Sequence, residues 1–253
     1  MPTDRPSLSV CLVTQDMAHF LPHCLAGIEN IADEIIAIDG ASTDGTLGIL
    51  ERHPKVRCFE RRFAGHFGQQ KNYAIEQARG DWVLVVDSDE VLGDRMQELV
   101  PKLMQSKKYT HYKFARYWIT DGPPYRYIRT PMHYPDFQLR LFRNLPFFRY
   151  PSEKVVHTHF PRKGRGPGRK IRRAHIFHFD FILNDRSGRE AKYERYLDLE
   201  PSTAKTSQMY LYEDFEAEPR KCREAMTTAQ IDCPSVRRDR CASVFSPGAG
   251  AGG

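Results

Sequence analysis

The chain has 253 residues, 40% of them hydrophobic and 28% charged, with a net charge of +6. At about 150 residues per domain this length allows one large domain, or one with a small appendage, and excludes three; the composition excludes wholesale disorder. No run approaches 18 apolar residues and the start MPTDRPSLSV has neither a basic nor a long apolar segment, so neither a spanning helix nor a secretory signal is expected and the protein is read as cytoplasmic. The charge is unevenly spread. Residues 1–100 carry 9 Lys/Arg against 16 Asp/Glu, a net −7, and residues 101–253 carry 29 against 16, a net +13. An acidic half can hold cations and a basic half suits anionic partners. The six cysteines (Cys11, Cys24, Cys58, Cys222, Cys233, Cys241) form no CxxC pair and are read as free thiols.

In chain order, Leu8 to Thr14 (LSVCLVT) is a near-continuous apolar run, as a strand covered on both faces requires. A helix over 19–31, a second strand at Glu34 to Asp39 and a turn at ASTDGT opening another helix complete the first strand–helix–strand unit. A strand at Val56 to Phe59, a helix from about Gly68 to Ala78 and the most apolar strand, Trp82 to Val86, follow, the last running into Asp87-Ser88-Asp89-Glu90. The alternation predicts an α/β fold: an open, mostly parallel, Rossmann-like sheet with helices on both faces and its ligand crevice beyond the carboxyl ends of the strands. After a helix at about 94–105, aromatics and Arg interleave from Tyr109 to Tyr150 in what reads as a smaller, irregular antiparallel part. Arg162 to Arg173 has seven basic residues in twelve with three Gly and one Pro, and is expected to be a mobile loop. Ile176 to Leu183 is a strand candidate and Arg189 to Leu199 a helix, and the tail from about Pro234 is expected to be unstructured. No internal repeat is found.

Two carboxylates two positions apart at the exit of a buried strand, Asp87 and Asp89, can point the same way and clamp a hard cation such as Mg²⁺ or Mn²⁺; an acidic turn with capping roles is the plainer reading. Asp39 closes the second strand beside Gly40 and can accept hydrogen bonds from a base or ribose, or simply cap the turn. Together the motifs VCLVTQDM, AIDGASTDGT, GQQKNYAIEQARGDWVLVVDSDEVL and PDFQLRLFRN resemble the inverting family-2 glycosyltransferases of GT-A fold, and are similar to bacterial lipopolysaccharide-core glucosyltransferases. The resemblance is good over about 7–145, thinner to about 200 and absent beyond.

It implies a transferase domain over 1–200, with a nucleotide-sugar half at 7–105 and an acceptor half at 106–200, followed by an extension at 201–253. It also implies that Thr14 and Asp16 line the nucleotide pocket, with Asp16 departing from the commoner Asn-Glu pair, and that Asp39 holds the uracil. Lys71 would face the diphosphate, Asp87 would touch ribose and metal, Asp89 would ligate the metal, and Ser88 between them is a further nucleotide-binding candidate. An inverting transfer needs a general base. Asp136, fixed by Pro135 and preceding an aromatic and Arg-rich segment, is the first candidate, with Asp121 and Glu153 as alternatives and a salt bridge to Arg140 or Arg143 as its plainer role. Relatives often carry His-Glu where this chain reads His157-Thr158-His159. Of His157, His159, His175 and His178, His178 is the best candidate to complete the metal site, against a histidine-only zinc site or strand histidines of no special role. The partners expected are a UDP-sugar donor, a glycan or glycolipid acceptor, no nucleic acid, and peripheral contact of the basic 162–173 stretch with an anionic membrane. The rival functions are a nucleic-acid or membrane-binding module and a nucleotidyltransferase.

Overall fold

A computed structural model describes residues 5–153, 159–215, 217–227 and 231. Cys233, Cys241, His157 and the tail from Pro234 lie outside the described residues.

Four strands make a parallel core: β1 (Leu8–Thr14), β2 (Glu34–Asp39), β3 (Val56–Glu60) and β4 (Trp82–Asp87), in the order β3-β2-β1-β4. The alternating residues of β1 explain why its sequence reads as apolar throughout. Leu8, Val10 and Leu12 pack with Leu21, Leu25 and Met96, whereas Cys11 packs with Ala74, Ile75 and Phe142 across the sheet. The first cluster gathers α1 (Leu21–Ala26), α2 (Thr46–Arg52) and α4 (Asp94–Met104), and the second α3 (Phe67–Gln77), so helices cover both faces. Gly80 is required where the chain enters β4, since a Cβ there would meet the Ser9 backbone nitrogen at 2.7 Å. Asp44 fixes the loop before α2 by accepting from the Thr46 and Ala18 amides at 3.0 and 2.9 Å.

Beyond β4 the sheet turns antiparallel. β8 (Asp136–Arg143) pairs with β4 and with β6 (His111–Asp121), and β6 continues to the short β7 (Arg126–Tyr127). β9 (Gly168–His178) runs parallel to β6 and pairs its last residues with β5 (Glu90–Leu92), which sets His178 opposite Glu90.

Three expectations need correction. The helix over 19–31 is α1 alone, with hydrogen-bonded turns on either side. Residues 168–173 are not loop: they begin β9, and their outward side chains are solvated while the backbone is laddered to β6. The strand expected over 176–183 stops at His178, after which Asp180–Leu183 form a one-turn helix, α5, because Phe179 turns inward against Phe20 and donates its amide to the Asp89 carbonyl at 2.9 Å. The helix expected at 189–199 is α6 (Arg186–Leu199), capped by Asp185, which accepts from the Gly188 amide.

Residues after α6 pack back onto the domain. Met209 and Tyr210 join Trp118, Ile128 and Phe181, and Met226 and Ile231 join Tyr117, Tyr127 and Phe177. The four described cysteines are free, as expected.

Candidate active site

A cavity of about 510 Å³ opens at the carboxyl ends of β1 and β4. Thr14, Gly40, Lys71, Asp87, Ser88 and Asp89 line one side, Lys113, Arg116, Phe137 and Arg140 the other, and Lys192, Arg195 and Tyr196 of α6 a third. Of the three strand-end residues, Thr14, Asp39 and Asp87, the first and last line the cavity, with Ser88 and Asp89 just beyond β4. Asp16 and Asp39 stand behind this wall. Asp39 is fully buried and accepts from the Ala41 amide, the Ser42 amide and the Ser42 hydroxyl at 3.0, 2.8 and 2.5 Å, and Asp16 accepts from the Thr43 amide at 2.7 Å. Both shape the turn whose Gly40 faces the cavity.

Asp87 and Asp89 do not form one clamp. The chain turns at Ser88, and the two carboxylates find separate partners. Asp87 is held by Lys71 at 2.5 Å and by Arg140 at 2.6 Å. Burial alone would raise its carboxyl, but those two cations hold it well below the usual carboxylate range. Asp89 faces His178, with Oδ2 and Nε2 3.1 Å apart. Burial would raise it too, and the charge and hydrogen bond of His178 bring it down to about 2.

The fit of a divalent cation can be tested on this pair. Adjacent ligands of an octahedral ion with bonds of about 2.1 Å stand about 3.0 Å apart, so Asp89 and His178 have the spacing of two neighbouring ligands. Among the described residues no three His, Cys, Asp or Glu side chains gather as a metal cage. The pair fits an ion shared with substrate phosphates, as Mg²⁺ sites commonly are, and does not fit an all-protein or all-histidine zinc site. Asp87 carries Lys71 on one oxygen and Arg140 on the other.

Asp136 is placed away from the cavity. Its carboxylate accepts from Arg116 Nε at 2.8 Å, from Trp118 Nε1 at 3.2 Å and from the Gln138 amide, and Arg116 overcomes the effect of burial to lower its pKa. A base needs an open lone pair within reach of the acceptor hydroxyl; here Oδ2 is claimed by Arg116 and Trp118, Oδ1 accepts from the Gln138 side chain, and neither Arg140 nor Arg143 is a partner. Asp121 is exposed at the end of β6 and Glu153 is exposed as well; neither lines the cavity. His175 also turns elsewhere, bonding Glu224 at 2.6 Å, while His159 does line the cavity.

Sequence reasoning missed the ion-pair chain behind the site. Lys71, Asp87, Arg140, Glu90, Arg116 and Asp136 alternate in sign through contacts of 2.5–3.2 Å. Glu90, fully buried, bonds Arg140 at 2.5 Å, Arg116 at 3.2 Å and the Asp87 amide at 3.1 Å. The one signal available was Arg140 at a two-residue period from Gln138, on the same face of a strand. Four buried polar atoms of residues lining the cavity, Thr14 Oγ1, Arg140 Nε, Arg165 Nε and His178 Nδ1, have no protein partner among the described residues.

The mixed α/β architecture, with its mostly parallel central sheet and a crevice at the carboxyl ends of β1 and β4, is a fold of GT-A type. The same fold is seen in the mannosyltransferase PcManGT from Pyrobaculum calidifontis in complex with GDP-Man and Mn²⁺, at 16% identity and a TM-score of 0.55 over 84% of this chain and 76% of that one. S. aureus TarS 1-349 in complex with UDP-GlcNAc is similar at 16% identity and a TM-score of 0.53, over 83% and 76%.

Residues 9–166 match the model of glycosyl transferase family 2, and the chain belongs to that family. It is similar to the lipopolysaccharide core biosynthesis glycosyltransferase LpsC of Rhizobium meliloti, 30% identical over 114 residues that make up 43% of this chain and 42% of LpsC. A TPR repeat-containing protein of Synechococcus elongatus is 31% identical over 144 residues, 56% of this chain and 33% of that protein. The matched regions thus span a third to about two fifths of these curated relatives.

Proposed function

We propose that the chain moves a sugar from a nucleotide-sugar donor, a UDP-sugar first among them, to a hydroxyl of a glycan or glycolipid acceptor, with inversion, in cell-envelope polysaccharide or lipopolysaccharide synthesis. The observation that carries this reading is one cavity lined together by Thr14, Lys71, Asp87, Ser88, Asp89 and His178, at the strand ends of a family-2 glycosyltransferase domain. The similarity to LpsC supports the envelope setting, and the complexes of PcManGT and TarS support a nucleotide-sugar donor.

Thr14 and Gly40 form the wall beside which the nucleoside lies, with Asp39 and Asp16 holding that wall in shape. Lys71 and Arg140 place two positive charges, each anchored on Asp87, where the diphosphate leaves. Asp89 and His178 would hold Mg²⁺ or Mn²⁺, which would supply positive charge for a departing diphosphate. Asp136 positions Arg116 and is not assigned as the base. Lys163, Arg169 and Arg173, exposed on the basic stretch, are assigned to peripheral contact with an anionic membrane face. Among the described residues no helix is long and apolar enough to cross a membrane.

Calorimetry of UDP with and without Mn²⁺ tests the donor reading, followed by a donor screen read by product mass. Binding of DNA or RNA with a steep salt dependence and indifference to UDP would favour a nucleic-acid module, and a triphosphate requirement would favour a nucleotidyltransferase.

A further inference from the structure

We propose that Lys113, Arg162 and Arg165 form a second anion subsite in the cavity, which receives a carboxylate or phosphate carried by the acceptor glycan. This rests on the transferase reading above and adds the chemical class of the acceptor.

Besides Arg195, which lies 5.9 Å from the Tyr196 ring centre, the Lys and Arg residues lining the cavity fall into two groups. Lys71, Arg116, Arg140 and Lys192 each bond a carboxylate of this chain. Lys113, Arg162 and Arg165 form no ion pair among the described residues. They are nevertheless gathered closely enough to disturb one another: burial and then the neighbouring cations lower both Lys113 and Arg165. Like charges brought together at a cavity wall with no counter-charge are unfavourable unless a ligand supplies it. Arg165 Nε is buried without a protein partner, so part of its donor capacity is unused.

The cluster is built, not incidental. Thr110 ties down the segment carrying Arg165, its amide donating to the Pro167 carbonyl at 2.9 Å and its hydroxyl to the Arg165 carbonyl. Lys113 stands on the laddered part of β6, opposite Leu139 and Lys170. Phe137 shares this wall of the cavity and offers an aromatic face of the sort on which a sugar ring can lie, with Lys170 5.0 Å from its ring centre.

Position separates the cluster from the donor phosphates. Trp118 is the β6 residue paired with His178, and Lys113 lies five residues earlier on the strand. At about 3.3 Å per residue the two positions are about 17 Å apart. With the diphosphate placed at Lys71, Arg140, Asp89 and His178, we assign the anion at Lys113 to the other substrate.

The test is an NMR titration of the full chain saturated with UDP and Mg²⁺, using inorganic phosphate, glucuronate and glucose as probes. Wild type is expected to bind phosphate and glucuronate while UDP stays bound, and to bind glucose at least tenfold more weakly than glucuronate. The K113Q/R162S/R165S variant is expected to weaken both anions at least tenfold and to leave UDP affinity within twofold. The exposed single change R162E should act in the same direction and guards against a folding defect in the triple variant. Anions that bind only by displacing UDP, or that bind variant and wild type equally, would overturn the proposal. If UDP fails to bind wild type, the donor reading fails, and the anion comparison without nucleotide still decides this one. Sedimentation with vesicles of phosphatidylglycerol and phosphatidylcholine should be equal for the two proteins; a loss in the variant with phosphate binding unchanged would move the cations to a lipid surface and overturn the glycan assignment.

Discussion

Glu90→Gln is the most informative single change. The glutamate has no solvent exposure and stands between two guanidinia, 2.5 Å from Arg140 and 3.2 Å from Arg116, while its second oxygen accepts from the Asp87 amide at 3.1 Å. Gln keeps the shape, so no cavity forms; what is lost is the negative charge, and an NH₂ now has to face one of two cations. Removing one partner of a buried ion pair costs about 3–5 kcal/mol, because the remaining charge is left uncompensated. For a domain of this size each kcal/mol moves the melting temperature by about 2–4 °C, so a fall of about 10 °C is expected. That is a large share of the roughly 5–15 kcal/mol a native protein has. Thermal unfolding followed by circular dichroism measures it. A midpoint within 2 °C of wild type would show that Arg116 and Arg140 do not need Glu90, and the account of a charge-balanced chain behind the site would be wrong.

Asp89→Asn should abolish the metal dependence of UDP binding while keeping the melting temperature within a few degrees, since the residue follows the strand and is not packed inside it; calorimetry with and without Mn²⁺ checks this, and unchanged metal dependence removes Asp89 from the ion. Asp136→Asn should lower turnover by less than the roughly 10²-fold or more expected on loss of a general base; a single-turnover loss beyond that would restore it as the base. His111 is held down to about 4, by burial first and then by Arg165 and Lys113. Its pKa lies below the unfolded value, so the unfolded chain takes up the proton first, and stability is present above about 6.5 and declines as pH falls toward 4. His111→Gln should flatten that part of the stability curve, and an unchanged slope in urea melts at pH 7, 6, 5 and 4 would refute the assignment. Replacing Lys163, Arg169 and Arg173 by Ser should weaken sedimentation with anionic vesicles at low salt and matter less as salt rises; equal sedimentation at low salt withdraws the membrane contact.

The parallel core was legible because each of its central strands is covered on both faces, and burial on both faces leaves an apolar run that needs no partner to be seen. β1 and β2 begin and end where LSVCLVT and EIIAID do. The start of β9 was hidden for the opposite reason. Lys170, Arg172 and Arg173 point to solvent, so the segment has the composition of a loop, and only its ladder to β6, more than 50 residues away, makes it a strand. The site divides in the same way. Asp89 and Lys71 lie in local motifs, whereas Arg140 reaches Glu90 from 50 residues away and Arg116 takes Asp136 from 20, and no local pattern encodes those pairings. The Pro before Asp136 constrains the backbone but says nothing of where the side chain goes, and Trp118 and Arg116 claim it.

The pairing of charges also explains how a fold with a +13 half keeps a cavity able to take two anionic groups in order. From Lys71 to Asp136 the buried chain has three cations and three anions, so it adds no net charge and costs little to keep behind the wall once every member is bonded. At its cavity end Asp87 holds both Lys71 and Arg140, the kind of preorganised arrangement that stabilisation of a leaving group requires. Among the described residues Lys113, Arg162 and Arg165 have no such balance, and on the proposal above their charge is available to an incoming ligand. A donor held at Asp89 and His178 brings its own negative charge to the first region and leaves the second unsatisfied, so acceptor binding should depend on salt more steeply than donor binding does. Binding of UDP and of glucuronate measured between 50 and 500 mM NaCl would show the two slopes, and a slope for glucuronate no steeper than that for UDP would argue against this division.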